Sequence, residues 1–200
     1  MPRQKRNWRQ GAYYHVIMRG NNRSDIYNDP EDKYHLMRCI YHTYTHYSFT
    51  IVAFCIMSNH FHILMKSEED LSKIMKLINR RYSDYYSKRY SHVGRIYQRR
   101  YYSKLVINPN VQLIVSRYIH RNPIETRIPL VANLQDYPHS SFPFYVDPYS
   151  EPPPYMDTSL LFQFLPVSFE KTIEGYSTYC LQEFGVDELE ELSEWMMEMK

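Results

Sequence analysis

Cysteine is scarce in this 200-residue chain, and its count is odd. Cys39, Cys55 and Cys180 stand at no metal-like spacing, which argues against a disulfide framework and for a reducing cytoplasm. No apolar run approaches the ~20 residues that a membrane-spanning helix needs. Met1-Pro2-Arg3-Gln4-Lys5-Arg6 is basic, but polar residues follow it, so it does not read as a secretory signal. No internal repeat is present. The last third also lacks cations. Residues 128–200 hold 2 of the 24 Lys and Arg but 13 of the 22 Asp and Glu, a net of −11. Residues 1–127 hold the other 22 cations and 9 carboxylates, a net of +13. Such asymmetry implies a nucleic-acid partner for the basic part with an acidic tail behind it; the plainer reading is solvated faces that happen to segregate.

What the chain has in abundance is tyrosine, 21 in all. Many stand beside cations, as in Arg81-Tyr82, Arg89-Tyr90 and Arg100-Tyr101-Tyr102. That interleaving suits unpaired bases stacked on rings while cations hold phosphate.

Two hundred residues make one domain, or one with an appendage. Tyr13 to Met18 reads as a first strand, ending in the turn-rich Arg19-Gly20-Asn21-Asn22-Arg23 with its two guanidiniums. Asp29-Pro30 starts a helix that runs to about His46. Phe49–Ile56 and Phe61–Met65, joined by Met57-Ser58-Asn59, read as a β-hairpin. A second helix, about Asp70 to Arg89, has Leu71, Ile74, Ile78 and Tyr82 inward and Lys73, Lys76, Arg80 and Lys88 outward. Tyr102 to Ile107 reads as a further strand, and Asn108-Pro109 opens a third helix that Pro123 ends. The order β-α-β-β-α-β plus a helix predicts an α+β, ferredoxin-like antiparallel sheet. Residues 128–155 are loop-like and rich in proline. Two short amphipathic segments follow, about 172–184 and 186–200, the last with Leu189, Leu192, Trp195, Met196 and Met199 on one apolar side.

His60 and His62 alternate on the second hairpin strand, so both imidazoles project from one face, about 7 Å apart at Cα. A same-face pair can chelate a divalent ion, though surface or core histidines have the same spacing. On the third helix Tyr118 and Asn122 are four apart and share a face. An Asn oxygen can complete a site begun by two histidines, with the tyrosine poised as a nucleophile on phosphorus. With so many tyrosines, the same spacing also arises by chance.

Four stretches carry a resemblance. Tyr14-His15-Val16-Ile17-Met18-Arg19-Gly20-Asn21-Asn22-Arg23, Met57-Ser58-Asn59-His60-Phe61-His62-Ile63-Leu64, and Arg117-Tyr118-Ile119-His120-Arg121-Asn122-Pro123 with Tyr137-Pro138-His139-Ser140-Ser141 resemble the REP-associated tyrosine transposases. These are a branch of the single-tyrosine HUH transposases of insertion sequences, and the likeness covers roughly residues 10–145. It implies a ferredoxin-like fold with an added catalytic helix, and a bound Mg²⁺ or Mn²⁺ on His60, His62 and Asn122. It further implies Tyr118 as nucleophile, and cleavage of single-stranded DNA near a hairpin through a 5′-phosphotyrosine link. Asn122 stands where the insertion-sequence enzymes have Gln, and Ser58 where relatives commonly have Pro. Candidate DNA contacts are Arg19, Arg23, Lys73, Lys76, Arg80, Arg99, Arg100 and Arg121. The expected layout is a transposase domain at 1–127, a strap or linker at 128–155 and an acidic helical extension at 156–200. Monomer and homodimer stay open. A non-catalytic single-strand-binding module, and a nuclease in which water attacks and Tyr118 only packs, are the competing readings.

Overall fold

Residues 8–147 and 149–197 are described by the computed structural model. Four antiparallel strands, β1 (Tyr13–Arg19), β2 (Phe49–Ile56), β3 (His60–Ser67) and β4 (Tyr102–Val106), lie in the order β2-β3-β1-β4. The two central strands, β3 and β1, come from different parts of the chain, which is the ferredoxin-like arrangement. Helices α1 (Pro30–Tyr44) and α2 (Leu71–Tyr90) cover one face; α3 (Pro109–Arg121), α4 (Ile173–Leu181) and α5 (Val186–Met197) gather on the other. Among the described residues, no helix is long and apolar enough to cross a membrane.

The helices start where their caps stand. The Asp29 side chain accepts from Asp32 N at 3.0 Å, and the Asn108 side chain from Val111 N at 2.8 Å, each just before a proline in the first turn. An aspartate or asparagine cap satisfies a backbone donor that the helix cannot, and proline loses nothing there.

Strand alternation divides the core in two. Tyr14, Val16 and Met18 of β1, with Phe61, Ile63 and Met65 of β3, pack on Leu36, Ile40, Ile74 and Ile78. The opposite face carries His15 and His62, with Cys55, Leu64, Val115, Ile119 and Tyr176 around it. A bulge between Ile51 and Ala53 puts both Val52 and Ala53 on this second face.

The segment after α3 does not hang free. It runs along the outer edge of β2 and takes up that strand's backbone groups. Tyr145 Oη donates to Val52 O (2.7 Å), Ser141 N to Phe54 O (2.9 Å) and Tyr137 Oη to Ile56 O (2.6 Å). An edge strand covered in this way no longer offers a template for a foreign chain. The second core thus draws on residues from both sides of positions 127 and 155.

Candidate functional site

At the turn end of the central strands, β1 and β3 set Arg19 directly opposite His60 and Ile17 opposite His62. Alternation then places Arg19, His15, His60 and His62 on one face. The His60 and His62 rings lie 4.8 Å apart between centroids, as the spacing of two on a strand requires. Helix α3 crosses this face. Its Tyr118 ring stands edge-on to His62 at 5.5 Å and to His15 at 6.2 Å. One turn on, Asn122 Nδ2 donates to the Tyr118 carbonyl at 2.8 Å. The rest of that side chain lies close enough to the His60 ring and the Tyr118 hydroxyl to act on both. The four residues expected to form the site, His60, His62, Tyr118 and Asn122, are therefore brought together.

The electrostatics follow from burial. Desolvation and the Arg19 charge push His60 down to about 4, and burial together with neighbouring His60, His15 and Arg19 takes His62 well below its ordinary value. Both imidazoles are neutral at pH 7, as metal ligation demands. Burial pushes the Tyr118 phenol up; the Asn122 hydrogen bond and the Arg19 charge oppose that shift. Arg19 thus favours phenolate while disfavouring imidazolium. Among the described residues, no group of three or more His, Cys, Asp or Glu could hold a metal ion.

Two further residues touch the histidines. His15 Nε2 lies 2.8 Å from His62 Nδ1, and Asn59 Oδ1 lies 2.6 Å from His60 Nδ1. Sequence reasoning missed both as site residues. His15 shares a face with Arg19 by simple alternation, but only the pairing of β1 with β3 reveals that this is the face of the histidine pair.

The candidate DNA contacts separate into three groups. Arg19 and Arg23 sit at the sheet end, where loop 20–23, the Ser58-Asn59 turn and segment 94–98 interlock; Gly20 N donates to Asn59 O and Asn21 N to Ile96 O, both at 2.8 Å. Lys76, Arg99 and Arg100, with Arg95, Tyr101 and Tyr102, line a groove of about 1070 Å³ between α2 and the segment leading into β4. Lys73 and Arg80 are exposed along α2.

Arg121 is a correction. It is buried, and its guanidinium is committed to Glu125 and to the carbonyls of Cys180, Leu181 and Gln182. Together with Arg117, one turn earlier, it anchors the C-terminal segment. Arg117 is only 1% exposed, donates to Glu188 at 2.9 Å and lies over the Tyr179 and Phe184 rings. A cation on the last turn of a helix reads as a phosphate contact until the acceptors that surround it are known.

The acidic helix α5 lands beside the site. Leu192 and Trp195 are buried; the Trp195 ring stacks on His15 at 5.3 Å, and Lys104 Nζ lies over the same Trp195 ring at 4.7 Å. Leu189 is half exposed, and Met199 lies outside the described residues, as does the arm of Arg3, Lys5 and Arg6.

Comparison with known proteins bears on the family and the fold. A family model described as "Transposase IS200 like" matches residues 9–122, more than half of the chain. A solved REP-associated tyrosine transposase, bound to a REP hairpin, superposes with a TM-score of 0.62 at 20% identity, over 76% of this chain and 89% of that one. A candidate transposase of Deinococcus radiodurans R1 matches at a TM-score of 0.42 and 15% identity, over 60% of this chain and 97% of that one. Among curated proteins, none matches. With its ferredoxin-like sheet and its family match over residues 9–122, the chain belongs to the IS200-like transposases.

Proposed function

We propose that this chain cleaves and rejoins single-stranded DNA beside a hairpin, with Tyr118 as the covalent nucleophile. The observation that carries the reading is the convergence of Tyr118 and Asn122, from α3, on the His60–His62 pair of β3. The donor set fits a divalent ion. His62 Nε2 is buried and has no protein partner, and the neutral His60 ring and the Asn122 side chain lie beside it. Mg²⁺ or Mn²⁺ held by His60, His62 and Asn122 would neutralise charge on the scissile phosphate.

The chain's own residues account for the rest. Tyr118 gives up its phenolic proton to solvent water, and its oxygen bonds to phosphorus as the bond from phosphorus to the 3′-oxygen breaks. The leaving 3′-oxygen takes up a proton and departs as a free hydroxyl, while the 5′-phosphate stays on the tyrosine. Attack by a 3′-hydroxyl on the phosphotyrosine reverses these steps and rejoins a strand. Arg19, opposite His60, is placed to hold a non-bridging phosphate oxygen and to favour the phenolate. The groove of Lys76, Arg99, Arg100, Tyr101 and Tyr102, flanked by Lys73 and Arg80 and continued by Arg19 and Arg23, is the proposed track for the hairpin and its single strand. The hairpin-bound transposase of similar fold supports that choice of partner.

The test is a hairpin oligonucleotide with a single-stranded flank, incubated with Mn²⁺ and run under denaturing conditions. The wild-type chain is expected to leave a denaturation-resistant protein–DNA adduct. Tyr118→Phe is expected to lose roughly a hundredfold or more of cleavage, with hairpin affinity unchanged, since only the nucleophilic oxygen is removed. Cleavage without an adduct would make water the nucleophile. Hairpin binding without metal dependence or cleavage would leave a binding module.

A further inference from the structure

We propose that Asn59 and His15 are positioning residues that commit His60 and His62 to the Nδ1–H tautomer, so that each imidazole offers its Nε2 lone pair to the site. The inference rests on the metal-ligand reading above, but its main observable requires no metal.

The argument at His60 is one of donors and acceptors. Asn59 Nδ2 donates to the Arg23 carbonyl at 3.1 Å, and a carbonyl can only accept. That contact fixes which way the amide faces, so Oδ1 is the atom 2.6 Å from His60 Nδ1. An amide oxygen also only accepts. The proton of neutral His60 therefore sits on Nδ1, and Nε2 is bare. The turn that holds Asn59 is itself pinned. Ile26 N and Tyr27 N both donate to Ser58 O, at 2.9 and 2.8 Å, and Gly20 N donates to Asn59 O at 2.8 Å.

At His62 the partner is His15, diagonal to it across the β1–β3 pair and reached at 2.8 Å from Nε2 to Nδ1. Either ring could donate. One direction leaves a buried N–H without a partner on His15 Nδ1, and the other leaves it on His62 Nε2. Arg19 decides between them. It stands diagonal to His62 across the β1–β3 pair but four residues away from His15 along β1, and a cation favours a lone pair over an N–H on the nearer ring. Trp195, stacked on the His15 ring, holds that ring in the plane the hydrogen bond needs, with 19° between the two imidazoles. Metal-bound histidines generally donate their second nitrogen to an outer partner, and loss of such a partner lowers metal affinity about 10–100-fold. In this chain an amide oxygen and a third imidazole take the place of the usual carboxylate.

The primary test is a long-range ¹H–¹⁵N spectrum of the metal-free full chain, labelled with ¹⁵N-histidine, at pH 7. His60 and His62, assigned from their Gln variants, are expected to show protonated Nδ1 and bare Nε2. The opposite tautomer at either residue overturns the proposal for that residue. Calorimetry with Mn²⁺ alone is the second arm. Asn59→Leu and His15→Phe are expected to weaken binding about 10–100-fold, while Asn59→Asp and His15→Gln, which keep an acceptor, restore it to near wild type. Equal affinity in all four variants overturns the proposal. Should the Leu or Phe variant not fold, the wild-type spectrum decides alone. A wild-type chain that takes up no Mn²⁺ refutes the metal reading instead, and the tautomers still judge this inference separately.

Discussion

At the scale of single residues, burial keeps His15, His60, His62, His120 and His139 neutral. His139, in the segment along β2, is 5% exposed, under Tyr34 and Tyr137 and with Lys33 near. Burial, then the Lys33 charge, pushes it down to about 4. The unfolded chain takes up a proton at this residue near pH 6.5, but the folded chain does so only near 4. Stability from His139 is therefore complete above about pH 6.5 and is lost as pH falls between those values, by at most about 1.4 kcal/mol per pH unit. Urea unfolding at intervals from pH 7 to pH 4 is expected to show a shallower decline for His139→Gln than for wild type. Parallel curves would mean that the buried imidazole charges without cost.

At the scale of elements, the contacts that orient helices are polar clamps as well as apolar stripes. Asp32, fully buried on α1, accepts from Tyr85 and Tyr90 of α2, at 2.9 and 2.8 Å, and from the guanidinium of Arg89. It also accepts from Asn28 N at 2.9 Å, so one carboxylate holds the start of α1 to the end of α2. Asp32→Asn keeps the volume but loses the charge and one acceptor, and it is expected to cost about 2 kcal/mol in denaturant unfolding. A loss below about 0.5 kcal/mol would show that apolar packing alone sets this pair. On the other face, His120 joins α3 to its cover: Nε2 lies 2.8 Å from Ser141 Oγ and Nδ1 3.1 Å from Tyr176 Oη. The helix that carries Tyr118 is thus held by the segments that follow it, through His120, Arg117 and Arg121.

At the scale of the whole molecule, charge segregation has a different meaning from the one the sequence suggests. An acidic helix after a basic domain invites the idea that its carboxylates occupy the cationic stripe of Lys73, Lys76 and Arg80. The stripe is on α2, and α5 packs on the opposite face of the sheet, where Glu188 pairs with Arg117. Two packing layers of about 10 Å each separate them, beyond the ~8 Å Debye length at physiological salt. A chain ending at Gly185 is therefore expected to bind the hairpin with nearly unchanged affinity and salt slope. It should be less stable by about 3 kcal/mol, because the seats of Trp195 and Leu192 are emptied. Anisotropy across a salt series and urea unfolding check the two halves separately. Tighter binding at low salt with a steeper slope would restore the idea that the acidic helix competes with DNA.

What the sequence determined by itself was everything with a local period or a local cap. The alternation of Tyr13 to Arg19 and of His60 to Met65, the caps at Asp29 and Asn108, and the four-residue step from Tyr118 to Asn122 are all properties of neighbours along the chain. They were enough to reach the strand and helix order; the resemblance of the quoted stretches then pointed to the family and to His60, His62, Tyr118 and Asn122 as candidate site residues. Tertiary structure alone decided which strands are adjacent, and so that His15 meets His62. It decided that Asn59 turns its oxygen to His60, that Arg121 spends its charge on carbonyls of residues 180–182, and that α5 covers the histidine face and not the cationic stripe. The reason is physical. Period and capping energies act over one helical turn or one strand pleat, whereas the Asn59–Arg23 bond that orients the amide, and the His15, Arg121 and Trp195 contacts, join residues 36 to 180 positions apart, and no local preference encodes their partners.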